Sequence, residues 1–509
     1  MKRYFVFHPI VRTVILAVLA GVASLATASA SFVPARFPAP GSTNINPDTH
    51  LVLTFSAPPS VGSSGLVRIY DAERMQLVDT LDLSIPSSPN PSGRAPSRGP
   101  AGVATAPRVT VDPNVEYQKI TVDGLEFFFR PIIVRGNVAT IYPHNGALKY
   151  GRTYVVKMDP SVLVPAEGEG AFAGFTSDTD WVFTTKAAPP PADATRVVVA
   201  ADGSGDFNTV QAAIEFFPKK PEKRVTVFIK NGYYEELVSL SDRANLTIRG
   251  EDRDKVQVGY ANNSAFQPGR RWAFSLINCS DIQLSNFTIN NYFIGQAEAL
   301  MVRGERIIVD HMTLNGSGDA FTAYGTVYFA DSLLTGHGDT VLGYAAVYFL
   351  RSEIRSHGPI TWTRTPQGSH GNVFVDCTLI GINEPLPWTV TEANPAGRIV
   401  KAPFARLPRN NSPTATATNF PYAEMVLINT KTSGIPPEGW GPIEEAPGFD
   451  SSNVRFWEYN TMDLDGRPVD VSQRHPVSKQ LTMENDAEII ANYRDPAFVL
   501  GGWVPVVEP

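Results

Sequence analysis

Cysteine is nearly absent from this chain: Cys279 and Cys377 are the only two in 509 residues, which leaves room for one disulfide at most. Basic excess is missing too. The net charge is -7, no Arg/Lys block interrupts it, and nucleic acid is therefore not expected as the main partner. Gly-x-Ser-x-Gly, His-Glu-x-x-His, Cys-x-x-Cys and Walker sequences do not occur, so serine-elbow, zincin, dithiol and P-loop chemistries find no support.

What is present suffices for large cores. Apolar residues make up 43% and charged residues 18%, a balance that argues against global disorder. The length predicts two domains. Lys2, Arg3 and Arg12 precede an apolar run from Thr13 to Thr27 that closes on Ala28-Ser29-Ala30. This pattern predicts a signal peptide over 1–30, too short to span a membrane comfortably. The mature chain is expected to begin near Ser31, more acidic still, secreted or periplasmic/cell-surface, and not membrane-bound.

Residues 31–186 read as short alternating strands such as Leu51 to Phe55 and Tyr154 to Met158. Many short strands with Pro/Gly turns predict a β-sandwich. Pro40 to Pro47, Leu51 to Ser56 and Tyr150 to Tyr154 resemble the bacterial immunoglobulin-like modules attached to exported enzymes. Ser87 to Pro107 is rich in Ser, Pro, Gly and Arg and reads as a disordered insertion. No catalytic constellation is visible here, and a plain spacer is the expected role. Residues 187–195, with Pro189-Pro190-Pro191, read as a semi-rigid linker.

After the linker the texture changes. Gly316-Ser317-Gly318-Asp319 and Gly336-His337-Gly338-Asp339 lie 20 residues apart, and each leads into a β-branched and aromatic run. Such a repeat predicts a parallel β-solenoid over 196–509, one coil per repeat. Thr209 to Ile214 reads as an amphipathic helix capping its first coil. Coils stack roughly 4.8 Å apart, so Asp319 and Asp339 become neighbours. Close carboxylates cannot both ionise easily, which makes one a proton donor and the other a nucleophile or base. On the same spacing the two cysteines sit about four coils apart, roughly 19 Å, and two free buried thiols follow.

The order of several motifs resembles the pectin methylesterase family. They are Asp202 to Ile214, Asn231 to Glu236, Gly295 to Leu300, the two aspartates, Ile435 to Trp440, and Phe456 to Asn460. The resemblance implies an all-β fold: a right-handed parallel β-helix catalytic domain preceded by an Ig-like β-sandwich. It implies an exported pectinesterase, active as a monomer without cofactor or metal, hydrolysing methyl esters of pectin or a related uronate polysaccharide. Asp339 would be the nucleophile, Asp319 the general acid/base, Gln296 the oxyanion donor, and Arg406 the group that aims Asp339 and keeps it ionised; Arg409 competes for that last role and is a substrate-binding candidate. Trp440, Tyr344, Phe321 and Trp362 are candidates for stacking on sugar rings. Arg364, Arg398 and Lys401 join Arg406 and Arg409 in a locally basic groove.

Two positions depart from the family pattern. Ser317-Gly318-Asp319 stands where Tyr-Gln-Asp is usual, removing a second glutamine, and a backbone N–H of the Gly316 to Gly318 turn is the expected substitute. Ala405 to Arg409 stands where Gly-Arg-Pro-Trp is usual. His337, His357 and His370 each precede Gly and read as structural turn residues. The alternatives are another β-helix polysaccharide hydrolase or lyase, or a catalytically impaired carbohydrate-binding protein.

Overall fold

Two-residue alternation builds the N-terminal sheets. Leu51 and Leu53 are buried, while the alternating Val52 and Thr54 face outward. The computed structural model describes residues 33–94, 109–168, 170–406, 420–441 and 450–509. The 1–30 segment, most of the Ser87 to Pro107 insertion, and Arg409 lie outside the described residues.

A four-stranded sheet runs in the order Ala35–Phe37, Leu51–Thr54, Val138–Ile141, Ile132–Arg135. A five-stranded sheet runs Ser42–Ile45, Val182–Thr185, Thr153–Met158, Leu66–Asp71, Gln76–Asp82. Leu51, Ile69, Val156, Trp181 and Phe183 share one core between them, which makes the pair a β-sandwich.

From Arg196 onward the strands are parallel. They form a fifteen-stranded and an eight-stranded sheet, to which successive coils contribute in turn. One coil supplies Thr313–Asn315 and Phe321–Ala330; the next supplies Leu333–Gly336, Val341–Gly343 and Ala346–Leu350. Thr313 pairs with Leu333, Phe321 with Val341, and Thr326 with Ala346, a constant offset of twenty. This is a parallel β-helix. Its interior is an aromatic stack: Phe329 lies 5.0 Å from Phe349, and Phe349 lies 4.3 Å from Phe374 with rings near parallel. Such pairs add about 0.5–1.5 kcal/mol each beyond area burial.

The helix Val210–Phe216 packs on the first strands, Arg196–Val199 and Val225–Ile229. Thr209 caps it, its side chain accepting from Ala212 N. Both cysteines are free and buried. Among the described residues, no helix is long and apolar enough to cross a membrane.

The sandwich does not behave as a spacer, contrary to expectation. Its core continues into the flank of the β-helix through Leu237, Tyr260, Phe266 and Ala273. Asp48 of the sandwich accepts the Asn208 and Thr209 backbone N–H groups at 2.8 Å. Asp123 meets Arg243 through two bonds of 2.7 and 2.9 Å, both side chains 4% exposed. Removing one partner of such a buried pair costs about 3–5 kcal/mol, because the other charge is stranded. Linker length permits movement; this apolar seam and its buried ion pair oppose it.

Candidate active site

The constant offset stacks the two Gly-x-Gly-Asp turns. Gly316 N–H donates to Thr335 O at 3.0 Å, and Phe321 N–H donates to Thr340 O at 2.9 Å. Below them, Ala297 and Ser317 exchange both backbone bonds at 2.9 Å, which sets Gln296 beside the first turn. Gly318 has φ +69°, and a Cβ there would fall 2.6 Å from Gly295 O and 3.5 Å from Gln296 Cα. Only glycine allows that approach. Gln296 is exposed, and its backbone carbonyl accepts from Ser264 N–H at 3.0 Å.

Asp339 adopts the left-handed conformation, φ +47°, unusual for a residue with a Cβ. Arg406 grips it with a fork: Nε to Oδ1 at 2.7 Å and NH2 to Oδ2 at 2.5 Å. Leu342 pairs with Trp362, and Trp362 with Arg406, so the arginine reaches back across two coils. It does so over the Trp362 ring, 4.1 Å from its centroid, and Arg364 lies over the same ring at 3.8 Å. The planar guanidinium is thereby held by both carboxylate and indole.

Asp319 is buried and meets a different cation, Arg271, at 2.8 Å. Arg271 is shared: its Nε lies 2.6 Å from Glu298, whose side chain is 1% exposed. Thr322 Oγ1 donates to the same Glu298 oxygen at 3.2 Å. Burial raises the Asp319 carboxyl to about 6; Arg271 opposes the rise, Asp339 adds to it, and Arg364 and Arg406 oppose it. Glu298 is pushed upward by burial, again against Arg271. One guanidinium between two buried carboxyls leaves room for a proton between them. The arrangement therefore offers an aimed, exposed-side carboxylate at 339 beside a protonatable carboxyl at 319.

Of the residues the sequence brings forward, Arg406 grips Asp339, Asp319 lies within electrostatic reach of both, and the Ala297–Ser317 pairing sets the backbone of Gln296 beside the first turn. Tyr344 is 37% exposed and stacked 5.6 Å from Tyr324. Arg398 and Lys401 are exposed in the segment leading to Arg406. Two stacking candidates are corrected. Phe321 is fully buried among the interior aromatics, because alternation within its own strand turns Phe321 and Ala323 inward and Thr322 toward Glu298. Trp440 is 2% exposed and stacks on Phe456 at 4.8 Å inside the core. Neither can meet a sugar. In the Gly316 to Gly318 turn, Gly316 and Ser317 N–H are already bonded, to Thr335 O and Ala297 O. Of the three donors expected to substitute for the absent glutamine, only Gly318 remains.

The His337 and His357 rings lie 4.9 Å apart, tilted by 34°. Ser317 Oγ accepts from Gly295 N–H and bonds His337 Nδ1, both at 3.1 Å. Burial and His357 depress His337 to about 4, so it ties coils together as a neutral ring. His370 sits elsewhere, bonded to Glu424 at 3.0 Å. Arg271 and Glu298 were not anticipated. Glu298 lay inside a quoted motif, where a carboxylate within the apolar run Ala297 to Leu300 was the available signal; Arg271 had none.

Residues 196–377 match the family model named Pectinesterase. Pectinesterase 4 of Arabidopsis thaliana is 25% identical over 282 residues, covering 52% of this chain and 45% of that protein. Probable pectinesterase/pectinesterase inhibitor 42 of the same plant is 43% identical over 63 residues, 12% of each chain. The chain spans less than half the length of the curated relatives it matches. Among solved structures, the carrot pectin methylesterase gives a TM-score of 0.49 at 20% identity, covering 60% of this chain and 93% of that one. Pectin methylesterase PemA from Erwinia chrysanthemi gives 0.48 at 21% identity, covering 62% and 99%. Through residues 196–377, this chain is similar to the pectinesterase family.

Proposed function

We propose that this chain is an exported esterase that hydrolyses methyl esters of a uronate polysaccharide, pectin, to free carboxylates and methanol. The observation that carries the reading is the unequal pair of adjacent-coil aspartates: Asp339 in the fork of Arg406, Asp319 buried beside it with a raised pKa.

The steps balance without a cofactor. An Asp339 carboxylate oxygen adds to the ester carbonyl carbon, and the carbonyl π electrons move onto its oxygen. The Gln296 side-chain amide, with Gly318 N–H as a second donor, stabilises that oxyanion; one such donor is worth about 3 kcal/mol. The carbonyl re-forms, the bond to the methoxy oxygen breaks, and Asp319 gives that oxygen its proton, releasing methanol. The acyl group is now an anhydride on Asp339. Asp319, ionised, takes a proton from water as the hydroxide adds to the substrate acyl carbon. Collapse returns Asp339 as carboxylate and leaves a free uronic acid. Arg406 holds Asp339 in aim throughout, and Arg271 does the same for Asp319. Tyr344, Arg364 and Arg409 are substrate-binding candidates.

Methanol release from esterified pectin by the wild type, Asp339→Asn and Asp319→Asn tests this. Wild-type release without new reducing ends or unsaturated products, lost in both variants, is expected. Full activity in Asp339→Asn would end the mechanism.

A further inference from the structure

Gln296 carries no side-chain bond of its own among the described residues, so its aim is set by the backbone of its loop. That loop is held from two directions, and both lead to the sandwich. Asn263 is 1% exposed, and its Nδ2 donates to Gly93 O of the sandwich at 2.7 Å and to Ile294 O at 2.9 Å. One amide thus ties a sandwich carbonyl to the loop two residues before Gln296. The next residue, Ser264, donates its N–H to Gln296 O at 3.0 Å.

Arg130 of the sandwich closes the other side. Its guanidinium lies 3.9 Å from the Phe266 ring centroid and 4.7 Å from that of Phe293. It donates to Ala261 O at 3.1 Å and to Pro91 O at 3.0 Å. Gly93 (φ +63°) sits flush on Phe293, where a Cβ would fall 2.2 Å from the ring. Sandwich residues 91–93 and 130 therefore touch the segments on both sides of the bond that fixes Gln296.

We propose that the sandwich is part of the catalytic apparatus: Arg130 and the Pro91–Gly93 segment clamp Asn263 and Phe293, and so position Gln296 for its developing oxyanion. The inference rests on the donor role given to Gln296 above. A donor must meet the oxyanion rather than the ground-state carbonyl, so a loosened loop weakens the transition state more than substrate binding. Misplacement on the scale of an ångström costs up to about a hundredfold in rate. A merely structural contact would lower stability and leave the rate alone.

The test is a double-mutant cycle on methanol release by the full chain. Arg130→Met keeps the apolar stem and removes the donors. It should lower kcat about tenfold with KM within about twofold. In a Gln296→Ala background it should lower kcat no further, because the two act through one group. Arg243→Met, which breaks the sandwich contact to Asp123, serves as the control: Tm should fall while kcat stays within about twofold. Should Arg130→Met not fold, Arg130→Lys keeps the charge over the rings but loses the fork, and an intermediate loss is expected. The clamp is overturned if Arg130→Met lowers Tm alone, or lowers kcat equally in both backgrounds. A fully active Gln296→Ala would overturn the donor role and the clamp together. An impaired Gln296→Ala beside an unaffected Arg130→Met would overturn the clamp only.

Discussion

Asp331 and Asp339 are eight residues apart in sequence and nearly identical in local geometry. Both have left-handed backbones, φ +50° and +47°. Both are held by an arginine fork, Arg351 on Asp331 at 2.8 and 2.6 Å and Arg406 on Asp339 at 2.7 and 2.5 Å. Their surroundings differ. Arg351 comes from the next corner along, its side chain 55% exposed. Arg406 crosses two coils, lies over Trp362 and is 22% exposed. Asp339 also faces a buried acid on the adjacent coil. A forked aspartate at a β-helix turn is a staple by default; a buried, protonatable neighbour is what sets Asp339 apart and supports the catalytic role proposed for it.

The contrast should be widest when each aspartate loses its charge. Asp339→Asn should reduce methanol release by about a thousandfold or more, since it removes the proposed nucleophile. Asp331→Asn should leave kcat within about twofold and cost less than about 1 kcal/mol, as exposed pairs do. Urea titration and initial rates on the same two variants measure both quantities. Replacing the forks comes next. Arg406→Lys keeps the charge but loses paired geometry and ring stacking, and kcat should fall roughly 10–100-fold; Arg351→Lys should be silent.

A third prediction tests by pH the buried, protonatable neighbour of Asp339. In the proposed mechanism Asp319 must carry its proton to release methanol, and its raised pKa keeps it protonated up to about 6. Single-turnover methanol release should therefore be fastest below that value and fall about tenfold per unit well above it. In Glu298→Gln, Arg271 is no longer divided between two carboxyls, so its hold on Asp319 strengthens and the midpoint should move to lower pH. A midpoint that does not move would remove Glu298 from the account. The smallest effect around Asp339 is reserved for Trp362→Phe, which keeps a ring under Arg406 and should cost about two- to fivefold in kcat.

Much of this was legible because repetition is legible. A twenty-residue Gly-x-Gly-Asp repeat has one economical packing, and that packing alone places 319 beside 339. The arginine fork was readable only through motif order, since 67 residues separate Arg406 from Asp339. Two errors came from reading motif context over alternation. Asp319 and Phe321 share parity, yet Asp319 precedes the strand that begins at Phe321, so alternation does not link them, and Phe321 goes inward. Trp440 sits in a family-like phrase but serves the terminal core. Arg271 was invisible for another reason, and Glu298 showed only as a carboxylate in an apolar run: Arg271 joins Glu298 to Asp319 only after three separate coils are stacked. The same holds for the sandwich contacts, where Asp123 and Arg243 are 120 residues apart.

The oily seam behind Leu237, Tyr260 and Phe266 has a practical corollary for anyone shortening this protein. A fragment begun at Arg196 would expose a stripe of naked hydrocarbon and should clump rather than stay dispersed. Natural trimming within the Pro189 to Pro191 stretch would therefore silence the molecule instead of liberating a smaller working one.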